Sequence, residues 1–262
     1  MGICYYVTMT TLSVIIITKN AATTLRACLA SVQWANEIII VDSGSTDETL
    51  AISREFTPKV INQDWLGFGP QKNYALGLAT SDWVLAIDAD EWLDAKLANE
   101  IQQTLLHPMA DVYALPRCSK FCGQFMKYGA WGNDYVTRLF KRQSASFSND
   151  LVHEKLLFAG AAKKLNNWLW HDSCDNLATA ISKMNNYSSL SAQMKFQQGK
   201  RGNLASAVFR GFWTFLKAYI FKRGFLDGRA GFILSWVTAE GSYYRYLKLM
   251  YLQEQSNDSK NH

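Results

Sequence analysis

A chain of 262 residues, 48% hydrophobic and 19% charged, can bury a substantial core, which excludes disorder except at the polar end from Gln253 to His262. The formal net charge of +5 is unevenly distributed: the first hundred residues are acidic, whereas eight Lys/Arg and no acid lie between Asp175 and Asp227. Two regions with different partners are expected, 1–174 and 175–262.

The opening MGICYYVTMT has neither a basic n-region nor a long apolar run, so export is not expected, and Met9 is a second candidate start. Leu12 to Thr18 (LSVIIIT) is a β-branched run that predicts a strand buried on both faces. A helix follows, with Thr23 as its cap and Leu25, Cys28, Leu29 and Val32 on one face. Glu37 to Asp42 (EIIIVD) is a second strand, ended by Ser43-Gly44-Ser45 before a helix from Thr46 or Asp47. Lys59 to Asn62 is a third strand, Pro70 to Ala79 a third helix, and Trp83 to Asp88 (WVLAID) a fourth strand. This order builds a mostly parallel α/β sheet with helices on both faces. Ligands then sit beyond the carboxyl ends of the strands, at Thr18-Lys19-Asn20, Asp42-Ser43-Gly44-Ser45 and Asp88-Ala89-Asp90. Neither G-x-G-x-x-G nor a P-loop follows the first strand, which disfavours a dehydrogenase or a P-loop enzyme.

Asp88 and Asp90 flank a small residue directly after a strand. Two like charges this close are stable only beside a cation, and Mg²⁺ or Mn²⁺, with hard oxygen ligands and substrate phosphates, suits the pair. The alternative is that Asp88, Asp90, Glu91 and Asp94 decorate a helix start, the role expected of Glu91 and Asp94 in any case. Asp42 is placed to accept from a base N–H or a ribose hydroxyl, or serves the turn in which Gly44 allows a tight bend. In Gly67-Phe68-Gly69-Pro70-Gln71-Lys72-Asn73, Lys72 at a helix start can meet a phosphate, or the segment is a plain loop. The five cysteines (Cys4, Cys28, Cys118, Cys122, Cys174) lack a framework spacing and fit reduced thiols in a cytoplasmic protein; Cys118 and Cys122 alone do not make a zinc site.

The series LSVIIITKN, EIIIVDSGSTDET, GFGPQKNYAL and WVLAIDADE resembles family 2 glycosyltransferases of the GT-A fold over about Leu12 to Leu105. Arg138-Leu139-Phe140, Val152-His153-Glu154 and a later G-F-L-D-G resemble the branch containing lipopolysaccharide-core β-1,4-glucosyltransferases. The resemblance implies a GT-A, Rossmann-like sheet with a nucleotide-sugar half at about 10–116, an acceptor half at 117–174 and a helical C-terminal extension. It makes Asp42 the nucleoside-binding aspartate and Asp88-Ala89-Asp90 the D-x-D motif, with Asp90 in direct contact with the metal. Thr18, Asn20, Gly44, Lys72 and Asn73 join the nucleotide-sugar site; relatives often carry Arg-Asn where this chain has Lys72-Asn73, so a point charge replaces a fork. The implied reaction is inverting transfer of a hexose, glucose from UDP-glucose, to a heptose of the lipopolysaccharide inner core, with a capsule or other envelope acceptor as the alternative.

Such transfer needs a base for the acceptor hydroxyl and a cation at the leaving diphosphate. The resemblance, through Val152-His153-Glu154, implies Glu154 as the base, with Asp134 its competitor; a surface or capping role for Glu154 is the plain alternative. His171 either completes the metal site or is a structural histidine, and Arg138 pairs with phosphate or with a carboxylate.

From Asn176 the pattern is helical. Asn203 to Phe221 sets Leu204, Val208, Phe212, Phe215, Leu216 and Tyr219 along one stripe with Arg210, Lys217 and Lys222 near its margins. That suits an anionic membrane surface, or the stripe packs on the catalytic domain. No run approaches the roughly 18 apolar residues of a spanning helix, so peripheral attachment to the inner face of a bacterial inner membrane is expected. No nucleic-acid module is visible, and nucleic acid is not an expected partner. Nucleotidyl transfer would want a Gly/Arg-rich first loop, and the chain has Thr18-Lys19-Asn20-Ala21 there. A non-catalytic binding protein is countered by the intact aspartates.

Overall fold

The computed structural model describes residues 10–149, 154–174 and 176–258. The elements are β1 (Leu12–Thr18), α1 (Ala22–Ser31), β2 (Glu37–Asp42), α2 (Thr49–Phe56), β3 (Val60–Asn62), α3 (Phe68–Leu78) and β4 (Trp83–Ala86). There follow β5 (Glu91–Leu93), α4 (Ala95–Leu106), β6 (Val112–Phe121), β7 (Gln124–Phe125), β8 (Asp134–Lys141), β9 (Ala145–Phe147), β10 (Leu156–Phe158), β11 (Lys163–Lys164) and β12 (Leu169–Cys174). The C-terminal part holds α5 (Leu177–Gln197), α6 (Leu204–Leu216), a π-helical turn at Lys217–Phe221 and α7 (Gly228–Asp258).

The main sheet runs β3-β2-β1-β4-β8-β6-β12-β5. Its first four strands are parallel, in the order 3-2-1-4 of a Rossmann-like fold, and β8 then joins β4 antiparallel. The sheet is thus mixed α/β, with a parallel N-terminal half and a helical C-terminal portion, as the GT-A resemblance implies. Alternate residues of β1 and β2 feed two cores: Val14, Ile16, Ile38 and Ile40 pack with Leu25, Leu29 and Leu97, while Ile15, Ile39 and Val41 pack with Ala75 and Phe147. Both faces of these strands are therefore apolar, which is why each reads as a continuous β-branched run.

The start of α1 differs from the expectation that Thr23 caps it. The helix begins at Ala22, and the N–H groups of Ala21 and Ala22 donate to Thr49 Oγ1 (2.7 Å) and Asp47 Oδ2 (3.2 Å) from the next turn. A neighbouring loop supplies the cap, something a local pattern does not reveal. Asp94 caps α4 as expected, accepting from Leu97 N at 2.9 Å.

The chain forms two compact units. The first is the chain up to Arg117 together with Asp134–His171; the second is Cys118–Asn133 together with the chain from Asp172 on. The second unit thus takes in 118–133, a stretch the sequence reading assigned to the acceptor half. Within it α5 and α6 both pack on α7, and Asn176 and Asn203 cap α5 and α6. Among the described residues no helix is long and apolar enough to cross a membrane.

Candidate functional site

Parallel pairing sets Thr18 beside Asp42 at the ends of β1 and β2, and Thr18 Oγ1 donates to Asp42 Oδ2 at 2.9 Å. Asp42 is fully buried. Its Oδ1 accepts from Gly44 N (2.9 Å) and Ser45 N (2.8 Å), and its Oδ2 also accepts from Ser45 Oγ (2.5 Å). The carboxylate therefore organises the turn, which Gly44 closes at φ +83, a conformation that favours glycine. Asn20, itself at φ +51, donates from its N–H to Ser45 Oγ and accepts from Thr46 N, both at 2.8 Å. The ends of β1 and β2 are thus one hydrogen-bonded platform.

Beyond β4 the charged side chains form a continuous alternating series. Lys72 Nζ, on α3 and buried, lies 2.9 Å from Asp88 Oδ1 and donates to Glu154 Oε1 at 2.6 Å. Arg138, on β8 and only 7% exposed, bonds the other oxygen of Asp88 and Glu91 Oε1 at 2.8 Å. Arg117, across the β6–β8 ladder from Asp134, reaches Glu91 Oε1 (3.3 Å) and forks onto Asp134 Oδ2 through Nε (2.9 Å) and Nη2 (2.7 Å). The series runs Glu154, Lys72, Asp88, Arg138, Glu91, Arg117, Asp134.

The cations needed beside Asp88 are thus supplied by the protein itself. Burial alone would raise the Asp88 carboxyl, but Arg138 and Lys72 hold it well below the usual carboxylate range. Burial likewise works against the charged form of Arg138, and Asp88 with Glu91 overrides it and raises its pKa. Glu91 is not a helix-start acid, contrary to expectation: it begins β5, is fully buried, and also accepts from Asp88 N at 3.0 Å. It fixes both arginines and the backbone of the D-A-D turn. The sequence reading missed its role and that of Arg117; an arginine interrupting the apolar run of β6 is the signal that could have exposed it.

Asp90 points elsewhere. Antiparallel pairing of β5 and β12 sets His171 opposite Glu91, and His171 Nε2 lies 3.4 Å from Asp90 Oδ2. Asp90 and His171 are the oxygen and nitrogen donors the fold brings together, with Ala89 as the small residue between the aspartates. Among the described residues no group of three or more His, Cys, Asp or Glu is arranged to hold a metal ion. The pair nevertheless fits a divalent cation of the kind that takes few protein ligands and draws the rest from substrate phosphates.

Asn73 faces away from these charges: its amide donates to Phe147 O and accepts from Phe147 N, both at 2.8 Å, tying α3 to β9. Gly69 permits that approach, since a Cβ there would lie 1.7 Å from Ser148 O. The same contact delivers Glu154, because Ser148 N donates to Lys155 O at 2.8 Å across the β9–β10 hairpin. Val152 and His153 lie outside the described residues.

The chain is 33% identical over 268 residues to an uncharacterized glycosyltransferase of Rickettsia conorii, covering 95% of this chain and 92% of that one. It is 28% identical over 251 residues to the lipopolysaccharide core biosynthesis glycosyltransferase LpsC of Rhizobium meliloti, covering 90% and 93%. Among solved structures, S. aureus TarS 1–349 is 15% identical with a TM-score of 0.47, covering 89% of this chain and 80% of that chain. That likeness is slight, and the strand order carries the fold. The model of glycosyl transferase family 2 matches residues 13–165, and with the Rickettsia relative this establishes that the chain belongs to glycosyl transferase family 2.

Proposed function

We propose that this glycosyltransferase is inverting and metal-dependent, and that it transfers glucose from UDP-glucose to a heptose of the lipopolysaccharide inner core at the cytoplasmic face of the inner membrane. The observation that carries the reading is that Lys72 joins Asp88 to Glu154 beyond β4, where ligands of parallel α/β sheets sit, with the Asp90–His171 pair on the same D-A-D turn. The likeness to LpsC supports a core acceptor.

In this reading the β1–β2 platform of Thr18, Asn20, Asp42 and Gly44 receives the nucleoside, and Lys72 meets the diphosphate. Asp90 and His171 would hold Mg²⁺ or Mn²⁺, which when bound supplies positive charge at the leaving diphosphate. Asp88, already neutralised by Lys72 and Arg138, positions that lysine and the D-A-D turn.

Glu154 is assigned as the base that takes the proton of the attacking acceptor hydroxyl. In the free protein its carboxylate is held by Lys72, and it is released toward the acceptor once Lys72 has another anion to pair with. The incoming diphosphate is such an anion, and donor binding thereby readies the base. Asp134, gripped by the fork of Arg117, is the poorer candidate.

The test is release of UDP by purified protein with a purified core acceptor and a panel of nucleotide sugars. Metal-dependent release with UDP-glucose is expected. Release with another sugar reassigns the donor, and failure with every donor favours a non-catalytic binding protein.

A further inference from the structure

The second unit carries a basic cavity that lies outside the residues assigned to glycosyl transfer. It measures about 310 Å³ and is lined by Lys127, Tyr128, Phe221, Lys222 and Arg223, with Gly129, Gly132 and Asn133 as backbone walls. Lys127, Lys222 and Arg223 are exposed, and none has an ion-pair partner among the described residues. Of the residues that line the cavity none is acidic.

The walls are fixed from below. Buried Asp227 accepts from Lys127 N (3.3 Å) and Tyr128 N (2.9 Å), and Gly129 N donates to Lys222 O at 2.9 Å. Arg223 is held at φ +59, where a non-glycine residue is uncommon, one residue beyond the π-helical turn and its cap Lys222. The three cations are thereby presented by a braced backbone.

The rim is apolar. Phe221 is 66% exposed and lies against Trp213, itself 48% exposed, with ring centroids 5.7 Å apart. Phe209, Phe225 and Leu226 in the same unit are also exposed. The α6 stripe read from the sequence is thus turned outward in large part, with Leu204, Val208 and Phe212 each more than half exposed. A ligand that satisfies three unpaired cations and adjoining aromatic surface is anionic and apolar at once. A soluble phosphosugar leaves Phe221 and Trp213 in water, whereas a phospholipid covers them.

We propose that this cavity is a docking site for the phosphate of an anionic membrane phospholipid, with Phe221 and Trp213 entering the acyl region beside it. The proposal deepens, and rests on, the membrane-facing part of the proposed function, and it is tested without donor or acceptor.

Sedimentation of the full chain with vesicles of phosphatidylcholine, with and without phosphatidylglycerol, measures it. Wild-type protein is expected to bind only the anionic vesicles. Replacing Lys127, Lys222 and Arg223 together by Gln should weaken that binding on the order of a hundredfold, while a control lacking Lys195, Lys200 and Arg201 loses much less. Phe221→Ser should weaken vesicle binding and leave binding of inorganic phosphate unchanged. Circular dichroism of each variant establishes that it is folded. Equal losses in the two triple variants would reduce the cavity to bulk charge and overturn the proposal. So would a cavity variant that loses inorganic phosphate yet keeps its vesicles. Vesicle binding with no UDP release from any donor would overturn the catalytic reading and leave this one standing.

Discussion

Lys72 Nζ donates to Glu154 Oε1 at 2.6 Å across 82 residues of sequence, and the same ammonium lies 2.9 Å from Asp88 Oδ1. One buried cation therefore links the assigned base to the D-A-D turn. Lys72→Met should raise the KM for the donor at least roughly tenfold, since a buried charge partner is lost, and Lys72→Arg should restore part of it. Steady-state kinetics against donor concentration checks this, and an unchanged KM would remove Lys72 from the diphosphate site.

Glu154→Gln keeps the shape of the side chain and removes its ability to take a proton. The turnover number should fall by roughly 10²–10⁴ with UDP affinity retained. Asp134→Asn should cost far less in turnover, because Asp134 is committed to Arg117. The opposite ranking in single-turnover assays would exchange the two roles.

Glu91 ties two arginines and a backbone N–H in the interior. Glu91→Ala leaves Arg117 and Arg138 short of a counter-charge, and breaking a buried pair costs roughly 3–5 kcal/mol. Urea unfolding should show that loss; a change within about 0.5 kcal/mol would mean the network is solvated.

Glu37 accepts from Ser13 Oγ, Lys59 Nζ and Thr80 N and Oγ1, knitting β1, β2 and the turn before β4. Burial pushes its carboxyl up, but Lys59, Ser13 and Thr80 bring it down to about 2. A carboxyl depressed in the folded state stabilises the fold above its unfolded value of about 4.3, and the contribution fades as pH falls toward 2. Glu37→Gln should cost about 1–2 kcal/mol at pH 7, because half-exposed Lys59 is screened by solvent, and the gap to wild type should close between pH 4 and pH 2. A gap independent of pH in urea titrations would rule out the charge as its source.

The parallel half of the fold was legible because β1 and β2 are buried on both faces and so spell LSVIIIT and EIIIVD. The residues named at the strand ends could be located for the same reason, since each follows a recognisable strand. Glu91 was misread because an acid after D-A-D has the local look of a helix start, and only pairing with β12 makes it a buried strand residue. Arg117 and Asp134 meet through the β6–β8 register, which shifts at Tyr113/Ala114 and is not written in either strand alone. The outward turn of the α6 stripe was open in the sequence, because periodicity gives an apolar face without saying what covers it.

In the proposed reaction Asp90, beside His171, would hold a divalent cation that supplies positive charge at the departing diphosphate. Calorimetric titration of UDP into wild-type protein and into Asp90→Ala, each with and without Mn²⁺, tests it most directly. Wild-type affinity should depend on Mn²⁺, and Asp90→Ala should lose that dependence while remaining folded. Mn²⁺-dependent UDP binding of wild-type strength in Asp90→Ala would remove Asp90 from the metal site.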